Sequence, residues 1–231
     1  MLKTVIRSFH IYLISTVVSL ALTCGVGYFQ IKVTLKITTF EPVYLVAPGI
    51  IGLFFGLLVA RVIVLNHKLK WYAIRDPLTQ TFNHGYYKRI LHDWTHEDSD
   101  FSLILFDIDD FKEINDEYGH QIGDQTLVRV CELVSETKRL YDVFARHGGE
   151  EFVILTPRTD LSEAADNAKR ICKIIAEASM PSGHKLTCSF GVAQFRIDCD
   201  TPDSIFERAD NALYESKKRG KNRVTLEEPA K

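Results

Sequence analysis

The sequence predicts an α/β or α+β domain, built on a central β-sheet flanked by helices and preceded by two transmembrane helices. Three observations support this fold class. Two long apolar runs near the N-terminus are almost free of charge, strand-like and helix-like segments alternate after residue 76, and charge is divided unevenly. The 231 residues have a net charge of −2, but residues 1–65 carry +4 and residues 66–231 carry −6. We therefore expect a membrane anchor over residues 1–65, a helical linker over 66–75 and a folded domain over 76–231.

The overall composition excludes several classes of protein. With 46% hydrophobic and 25% charged residues, the chain is expected to be neither disordered nor collagen-like. Its net charge also argues against a nucleic-acid partner bound over a wholly basic surface. The five cysteines form no C-x-x-C pair, so we expect reduced, mostly packed thiols and no disulfide framework.

The two apolar runs cover residues 9–29 and 43–65, with no charged residue in the first and one, Arg61, in the second. Each run is long enough to cross a hydrocarbon core of about 30 Å as a helix. The first run could instead be a signal peptide, because Lys3 and Arg7 precede it, although no cleavage site stands out after it. Lysine and arginine flank the outer ends of both runs more densely than the connecting loop, which favours both ends inside.

Three small residues recur at four-residue spacing in the second run: Gly52, Gly56 and Ala60. Such spacing lets two membrane helices approach closely, so this stripe is a candidate dimer face. Glycine is also simply common in membrane helices, and the two interpretations are about equally supported.

The folded domain opens with a helix predicted over residues 83–95, for which Asn83 is the expected N-cap. A compact apolar run over 101–107 predicts a buried strand. The next helix is predicted over 123–139, where Leu127, Val130, Cys131 and Val134 form one inward face.

A hairpin follows, with strands over 143–146 and 151–156. Gly148 and Gly149 lie between them and are expected to supply positive φ angles at a tight turn. The remaining elements are a helix over 161–178, a strand over 185–195 and a helix over 202–218 that stops at Gly220.

Acidic residues follow two of these strands. Asp107, Asp109 and Asp110 end the buried strand, and Glu150 and Glu151 follow the hairpin glycines. Each cluster alone is a weak signal, because acidic turns are usually just solvated. Together they suggest that two strands converge on hard-cation chemistry, which is typical of phosphoryl or nucleotidyl transfer.

Residues 76–224 resemble the GGDEF family, the bacterial diguanylate cyclases. Four motifs carry the resemblance, in the family's order: DPLTQTFN at 76–83, FDIDDFKEINDEYGHQIGD at 106–124, RHGGEEF at 146–152 and ADNALYESKKRGKNRV at 209–224. The resemblance implies a palm-like sheet with flanking helices, similar to nucleotidyl cyclases. It also implies condensation of two GTP molecules into cyclic di-GMP with release of two pyrophosphates.

The resemblance also implies roles for particular residues. Asp107, Glu150 and the carbonyl of Ile108 match the ligands of two Mg²⁺ or Mn²⁺ ions, and Gly148 and Gly149 match the backbone over the phosphates. Glu151 matches a second acid whose role, in metal binding or as a base, stays open. The matching substrate residues are Asn115 and Asp124 for guanine, and Phe111, Lys112, Lys217 and Lys221 for the phosphates.

One domain of this family holds one GTP, so the resemblance implies catalysis by a homodimer of facing domains. With the two apolar runs, it implies a multi-pass protein of the bacterial inner membrane, in contact with lipid, with its catalytic domain in the cytoplasm. The alternative is a non-catalytic GGDEF domain that binds GTP or cyclic di-GMP and signals to a partner.

Arg139 and Asp142 form an RxxD motif, with five residues between Asp142 and Gly148. In the family this position is an inhibitory site for the product, and Arg170 matches a further product contact. The alternative is a surface ion pair that contributes little to the free energy of unfolding. The chain departs from the family pattern at Gln80, Thr81 and His84, which bears on local packing or on coupling to the linker. His147 is interpreted as structural.

Overall fold

The computed structural model describes residues 43–97, 99–181, 183–197 and 199–228, together with six single positions between residues 18 and 29. The chain divides into two compact units, Met1–Ala73 and Ile74–Lys231. Apart from those six positions, the first predicted membrane run lies outside the described residues.

In the first unit, helix α1 runs without interruption over Val43–Ala73. Its segment Ile50–Ala73 is the one helix of the described residues that is long and apolar enough to cross a membrane. The helix therefore includes the second predicted membrane run and most of the predicted helical linker. Gly52, Gly56 and Ala60 are buried within the single chain, whereas large apolar side chains around them are exposed. The small-residue stripe is thus already covered in one copy of the chain.

The second unit is built on a five-stranded sheet with strand order β2-β3-β1-β4-β5. The strands are β1 (Phe101–Ile108), β2 (Val143–Gly148), β3 (Glu151–Pro157), β4 (Cys188–Gln194) and β5 (Val224–Leu226). The central strand β1 pairs antiparallel with β3 and β4, and β4 pairs parallel with β5. The predicted α+β class, with a central sheet and flanking helices, is confirmed.

Five helices flank this sheet: α2 (His84–His96), α3 (Phe111–Tyr118), α4 (His120–Thr137), α5 (Leu161–Glu177) and α6 (Pro202–Lys218). The predicted cap at Asn83 is confirmed, since its side chain accepts a hydrogen bond from the Tyr86 amide at 3.0 Å. Helix α3 and strand β5 were not predicted, because a helix with two buried residues and a strand of three residues leave almost no periodic signal. The last long strand is shorter than predicted, at 188–194.

The sheet has a core on each face, which explains why all eight residues of β1 are buried. Ile104, Phe106 and Ile108 point to one core, while Leu103 and Leu105 point to the other. The alternation follows from the two-residue period of a strand. Cys131, Cys172 and Cys188 are unpaired and buried in the first core, as expected for packed thiols. The two cores hold the polar end of β1 in a fixed place.

Candidate active site

The polar end of β1 meets the start of β3 at one edge of the sheet. Asp107 lies opposite Glu151 in the antiparallel ladder, and the Ile108 amide donates to the Glu150 carbonyl at 3.3 Å. The structure thus brings together the two acidic clusters that the sequence pointed to. Asp107 is buried, and Glu150 and Glu151 are partly exposed.

The backbone angles of the two hairpin glycines correct one expectation. Neither Gly148 nor Gly149 has a positive φ angle, so the turn does not need glycine for its backbone conformation. A Cβ atom on Gly149 would meet no atom within 4 Å, and one on Gly148 would meet only the Glu151 Oε2 atom, at 3.6 Å. Internal packing does not require glycine here either. The two glycines leave bare backbone facing open space, which a ligand can approach closely.

The electrostatics around Asp107 suit a hard divalent cation. Burial raises the pKa of Asp107 to about 6, and the acids at 150 and 151 add to this, while Lys217 opposes it. The Lys217 ammonium lies 3.0 Å from the Asp107 carboxylate. A buried carboxylate beside a second acid needs positive charge, and Mg²⁺ or Mn²⁺ prefers such oxygen donors. Among the described residues, however, no three acidic, histidine or cysteine side chains already surround a common point.

Asp109, directly after β1, forms structural hydrogen bonds with two other chain segments. Its carboxylate is buried and accepts hydrogen bonds from the Thr187 and Ser189 hydroxyls, both at 2.7 Å, and from the Asn222 amide at 3.1 Å. With its oxygens occupied by these donors, Asp109 is a poorer candidate for metal binding than Asp107. Its neighbour Asp110 forms an ion pair with Lys221, one of the residues expected to contact phosphate.

The residues expected to recognise guanine lie where α3 and α4 meet. Asn115 is on α3 and Asp124 is on α4. A Cβ atom on Gly123 would overlap the Asn115 Oδ1 atom, so glycine allows the Asn115 amide to lie against α4. Asp124 is exposed and lines an open cavity of about 430 Å³ together with Leu78 and Gln121. Phe111 is buried and Lys112 is exposed, both in the first turn of α3.

The RxxD residues form a compact turn after α4. The Arg139 amide donates to the Asp142 carboxylate at 2.7 Å, and the Lys138 ammonium donates to the carbonyls of both residues at 3.2 Å. Burial raises the pKa of Asp142, while the cations at 138, 139 and 170 oppose the shift. Arg170, on α5, therefore lies within electrostatic reach of the turn. The Arg139 guanidinium is exposed and lies 3.7 Å from the Glu163 carboxylate.

Sequence reasoning gave no role to an ion pair that holds the hairpin turn. The Arg146 guanidinium donates two hydrogen bonds to the Gly149 carbonyl, at 2.9 and 2.7 Å, and a third to the Asp76 carboxylate, at 3.1 Å. Both side chains are mostly buried. The two residues belong to motifs that were quoted for the resemblance, but they are 70 positions apart, and nothing local in the sequence joins them.

Asp76→Asn is expected to lower the free energy of unfolding by about 2 kcal/mol at pH 7, because it weakens a mostly buried charged hydrogen-bond network. Burial alone would raise the pKa of Asp76, but hydrogen bonds from Thr79 and the charge of Arg146 lower it overall. A carboxyl group whose pKa is lowered by folding stabilises the fold at pH values above its ordinary pKa of 3.8. This stabilisation is lost as the pH falls below 3.8 towards the lowered pKa. Thermal melting of both proteins from pH 3 to 7 should therefore show a difference that shrinks on acidification. A constant difference would contradict the ion-pair explanation.

Comparison with known proteins identifies the family. The sequence matches the family described as "Diguanylate cyclase, GGDEF domain" over residues 73–223. It is 47% identical over 128 residues to diguanylate cyclase A of Treponema denticola, covering 54% of this chain and 34% of that protein. It is 35% identical over 169 residues to the response regulator PleD of Caulobacter vibrioides, covering 69% of this chain and 37% of that protein. The chain thus spans about a third of the length of these two relatives.

A solved structure agrees with the sequence comparison. The coiled coil and GGDEF domain of DgcB from Caulobacter crescentus, solved in complex with c-di-GMP, superposes with a TM-score of 0.69 at 29% identity. The match covers 74% of this chain and 94% of that one. The active GGEEF domain of a Vibrio cholerae diguanylate cyclase gives a TM-score of 0.58 at 28% identity, covering 64% and 95% of the two chains. With a family match over more than half its length, the chain belongs to the GGDEF domain family of diguanylate cyclases.

Proposed function

We propose that this chain is a membrane-anchored diguanylate cyclase that condenses two GTP molecules into cyclic di-GMP and two pyrophosphates. The observation that carries the proposal is the convergence of Asp107 and Glu150 beside the bare backbone of Gly148 and Gly149. This arrangement offers oxygen ligands for cations next to a surface that phosphates can approach. Diguanylate cyclases among the relatives support the same reaction.

Asp107, Glu150 and the Ile108 carbonyl would hold two divalent cations, Mg²⁺ or Mn²⁺, and their oxygen donors suit such ions. When bound, such ions supply positive charge that activates a 3′-hydroxyl and stabilises charge on the α-phosphate. The chain's own groups then bind and orient GTP. The backbone at Gly148 and Gly149 would lie along the phosphates, and the Lys217 ammonium is beside the Asp107 carboxylate. The Phe111 backbone, Lys112 and Lys221 would complete the phosphate contacts.

Guanine selection is assigned to Asn115 and Asp124. Their amide and carboxylate present a donor and acceptors to the base, so an analogue without the matching groups would leave polar atoms unpaired. The absence of a side chain at Gly123 lets the Asn115 amide lie against α4.

Catalysis requires two copies, because each 3′-hydroxyl must attack the GTP held by the other domain. We propose a homodimer anchored in the bacterial inner membrane by two transmembrane helices, over residues 9–29 and 43–65, with the catalytic domains in the cytoplasm. Helix α1 supports the second of these spans. The function is tested by incubating the full chain in lipid vesicles with GTP and Mg²⁺ and identifying the product by mass. A protein that binds GTP without making cyclic di-GMP would be the non-catalytic module instead.

Product inhibition at the RxxD turn leads to a separate prediction. Arg139→Ala should leave the uninhibited rate within about twofold of the wild type, because Arg139 is not among the residues at the end of β1. It should raise the concentration of cyclic di-GMP needed for half inhibition by about a hundredfold, since a charged bidentate contact of about 3 kcal/mol is lost. The measurement is the initial rate at increasing cyclic di-GMP.

Arg129→Ala is the matched control, because this arginine is partly exposed and lies on α4, where it pairs with Glu132. Inhibition of that variant should equal the wild type's. Unchanged inhibition in Arg139→Ala would overturn the assignment of the RxxD site while leaving the cyclase proposal intact.

A further inference from the structure

We infer that Tyr87, His147 and His84 act together as positioning residues that hold the Gly148–Gly149 turn in the geometry needed for catalysis. This inference rests on the proposed function, since it concerns the same turn. It assigns a role to two histidines and a tyrosine that the reaction itself does not use. Tyr87 and His84 lie on α2, and His147 directly precedes the turn.

The first contact fixes the side chain of His147. Tyr87 is completely buried, and its hydroxyl forms a hydrogen bond with the His147 Nδ1 atom. Burial raises the pKa of Tyr87, so the phenol stays protonated. Burial also lowers the pKa of His147, which favours a neutral ring, so this bond joins two uncharged groups. On its other side, the His147 ring stacks on Phe206 of α6, with centroids 4.9 Å apart.

The second contact fixes the main chain. The His84 Nδ1 atom lies 3.0 Å from the His147 carbonyl oxygen, so the His84 ring donates this hydrogen bond. That carbonyl belongs to the peptide unit that leads into Gly148. One helix therefore holds both the side chain and the backbone of the residue at the entrance of the turn.

A β-bulge explains why His147 is available for these contacts. In the β2–β3 ladder, Arg146 pairs with Phe152 and Gly148 pairs with Glu151, so the register skips His147. A bulged residue has no opposite partner and is free to turn its groups elsewhere. Here it turns them to α2, while Arg146 holds the carbonyl of Gly149 from the other direction. The turn is thus held on both sides, immediately before Glu150.

Contacts that position the turn should affect kcat more than KM. None of the three side chains belongs to the groups assigned to GTP, so their loss should leave KM nearly unchanged. A displacement of about 1 Å at reacting groups can cost about a hundredfold in rate. For removal of one hydroxyl, as in Tyr87→Phe, we expect about a tenfold fall in kcat.

The test uses the full chain in lipid vesicles and five variants. Tyr87→Phe removes the hydroxyl and keeps the ring, and His147→Leu removes Nδ1 and keeps an apolar side chain against Phe206. His147→Asn is the conservative variant, because its side-chain amide can take the place of Nδ1, and it should recover at least half of the lost kcat. The double variant Tyr87→Phe/His147→Leu should be no worse than His147→Leu, since the two act through one bond. Tyr86→Phe is the control, because Tyr86 is on the same helix and its ring stacks on Phe82.

Hydrogen–deuterium exchange over residues 146–151 gives a readout that does not depend on activity. It should accelerate in Tyr87→Phe and His147→Leu and stay at the wild-type rate in Tyr86→Phe. The inference is overturned by wild-type kcat in both variants, by a kcat loss without faster exchange of the turn, or by a lower melting temperature as the only effect. If the wild type makes no cyclic di-GMP, the proposed function fails, whereas exchange still decides whether these residues hold the turn.

Discussion

Replacing Glu150 by glutamine, or Asp107 by asparagine, is expected to slow the formation of cyclic di-GMP by about a thousandfold or more. Each change keeps the shape of the side chain and removes the charge that would hold a divalent cation beside the open turn. A loss of about 4 kcal/mol of electrostatic stabilisation of the transition state corresponds to this factor. The measurement is the initial rate at saturating GTP and Mg²⁺, with GTP binding measured on the same samples.

Two other aspartates in the same stretch make this prediction specific. Asp116→Asn changes an exposed carboxylate on α3 and should leave the rate unaltered. Asp109→Asn should lower the melting temperature, because the Asp109 carboxylate accepts hydrogen bonds from three residues in two other chain segments. An Asp107→Asn protein that retained more than a tenth of the wild-type rate would refute the metal assignment.

The second large effect concerns folding, at Gly191 in the middle of β4. A Cβ atom at this position would overlap the Ala209 carbonyl oxygen and the Leu213 amide, and it would lie 3.0 Å from the Leu213 Cα atom. These are main-chain atoms of α6, which cannot rotate away as a side chain can. Gly191→Ala is therefore expected to cost about 3 kcal/mol or more of folding free energy. Thermal unfolding followed by circular dichroism measures the loss.

Gly149→Ala is the matched control for this prediction, because its new methyl group would meet no atom within 4 Å. Its melting temperature should stay close to that of the wild type, although its activity should fall if phosphates approach the turn. A Gly191→Ala protein as stable as the wild type would show that α6 can move away from the sheet. That result would contradict the close packing of α6 on β4.

The longer elements were predictable from sequence because each leaves a periodic or bounded apolar pattern. The structure places α2 at 84–96 where 83–95 was predicted, and α6 at the predicted 202–218. The adjacency of Asp107 and Glu151 was also suggested by the acidic residues at two strand ends. Helix α3 and strand β5 were missed because they are too short to carry an apolar pattern of their own, and their position depends on tertiary packing.

The contacts that shape the site were beyond sequence reasoning for a different reason. Tyr87 and His147 are 60 positions apart, and a lone histidine in a turn has the same local appearance whether it is solvated or bonded. The glycine pair was expected both to supply positive φ angles and to leave bare backbone for phosphate. In the structure the positive φ angles are absent, whereas the missing side chains do leave the turn open.

The hydrogen bonds of Asp109 have a consequence for how the domain is made. They join Asp109 to Thr187, Ser189 and Asn222, which lie 78, 80 and 113 positions later in the chain. During translation, β1 emerges from the ribosome long before Asn222 is synthesised. The Asp109 carboxylate therefore cannot accept its hydrogen bond from the Asn222 amide until translation has passed residue 222. Contacts of such separation form late, because a long loop must close first. We therefore expect nascent chains and truncations that end before Asn222 to have an incompletely anchored β1 end, so that cyclase activity appears only after almost the whole domain has been translated.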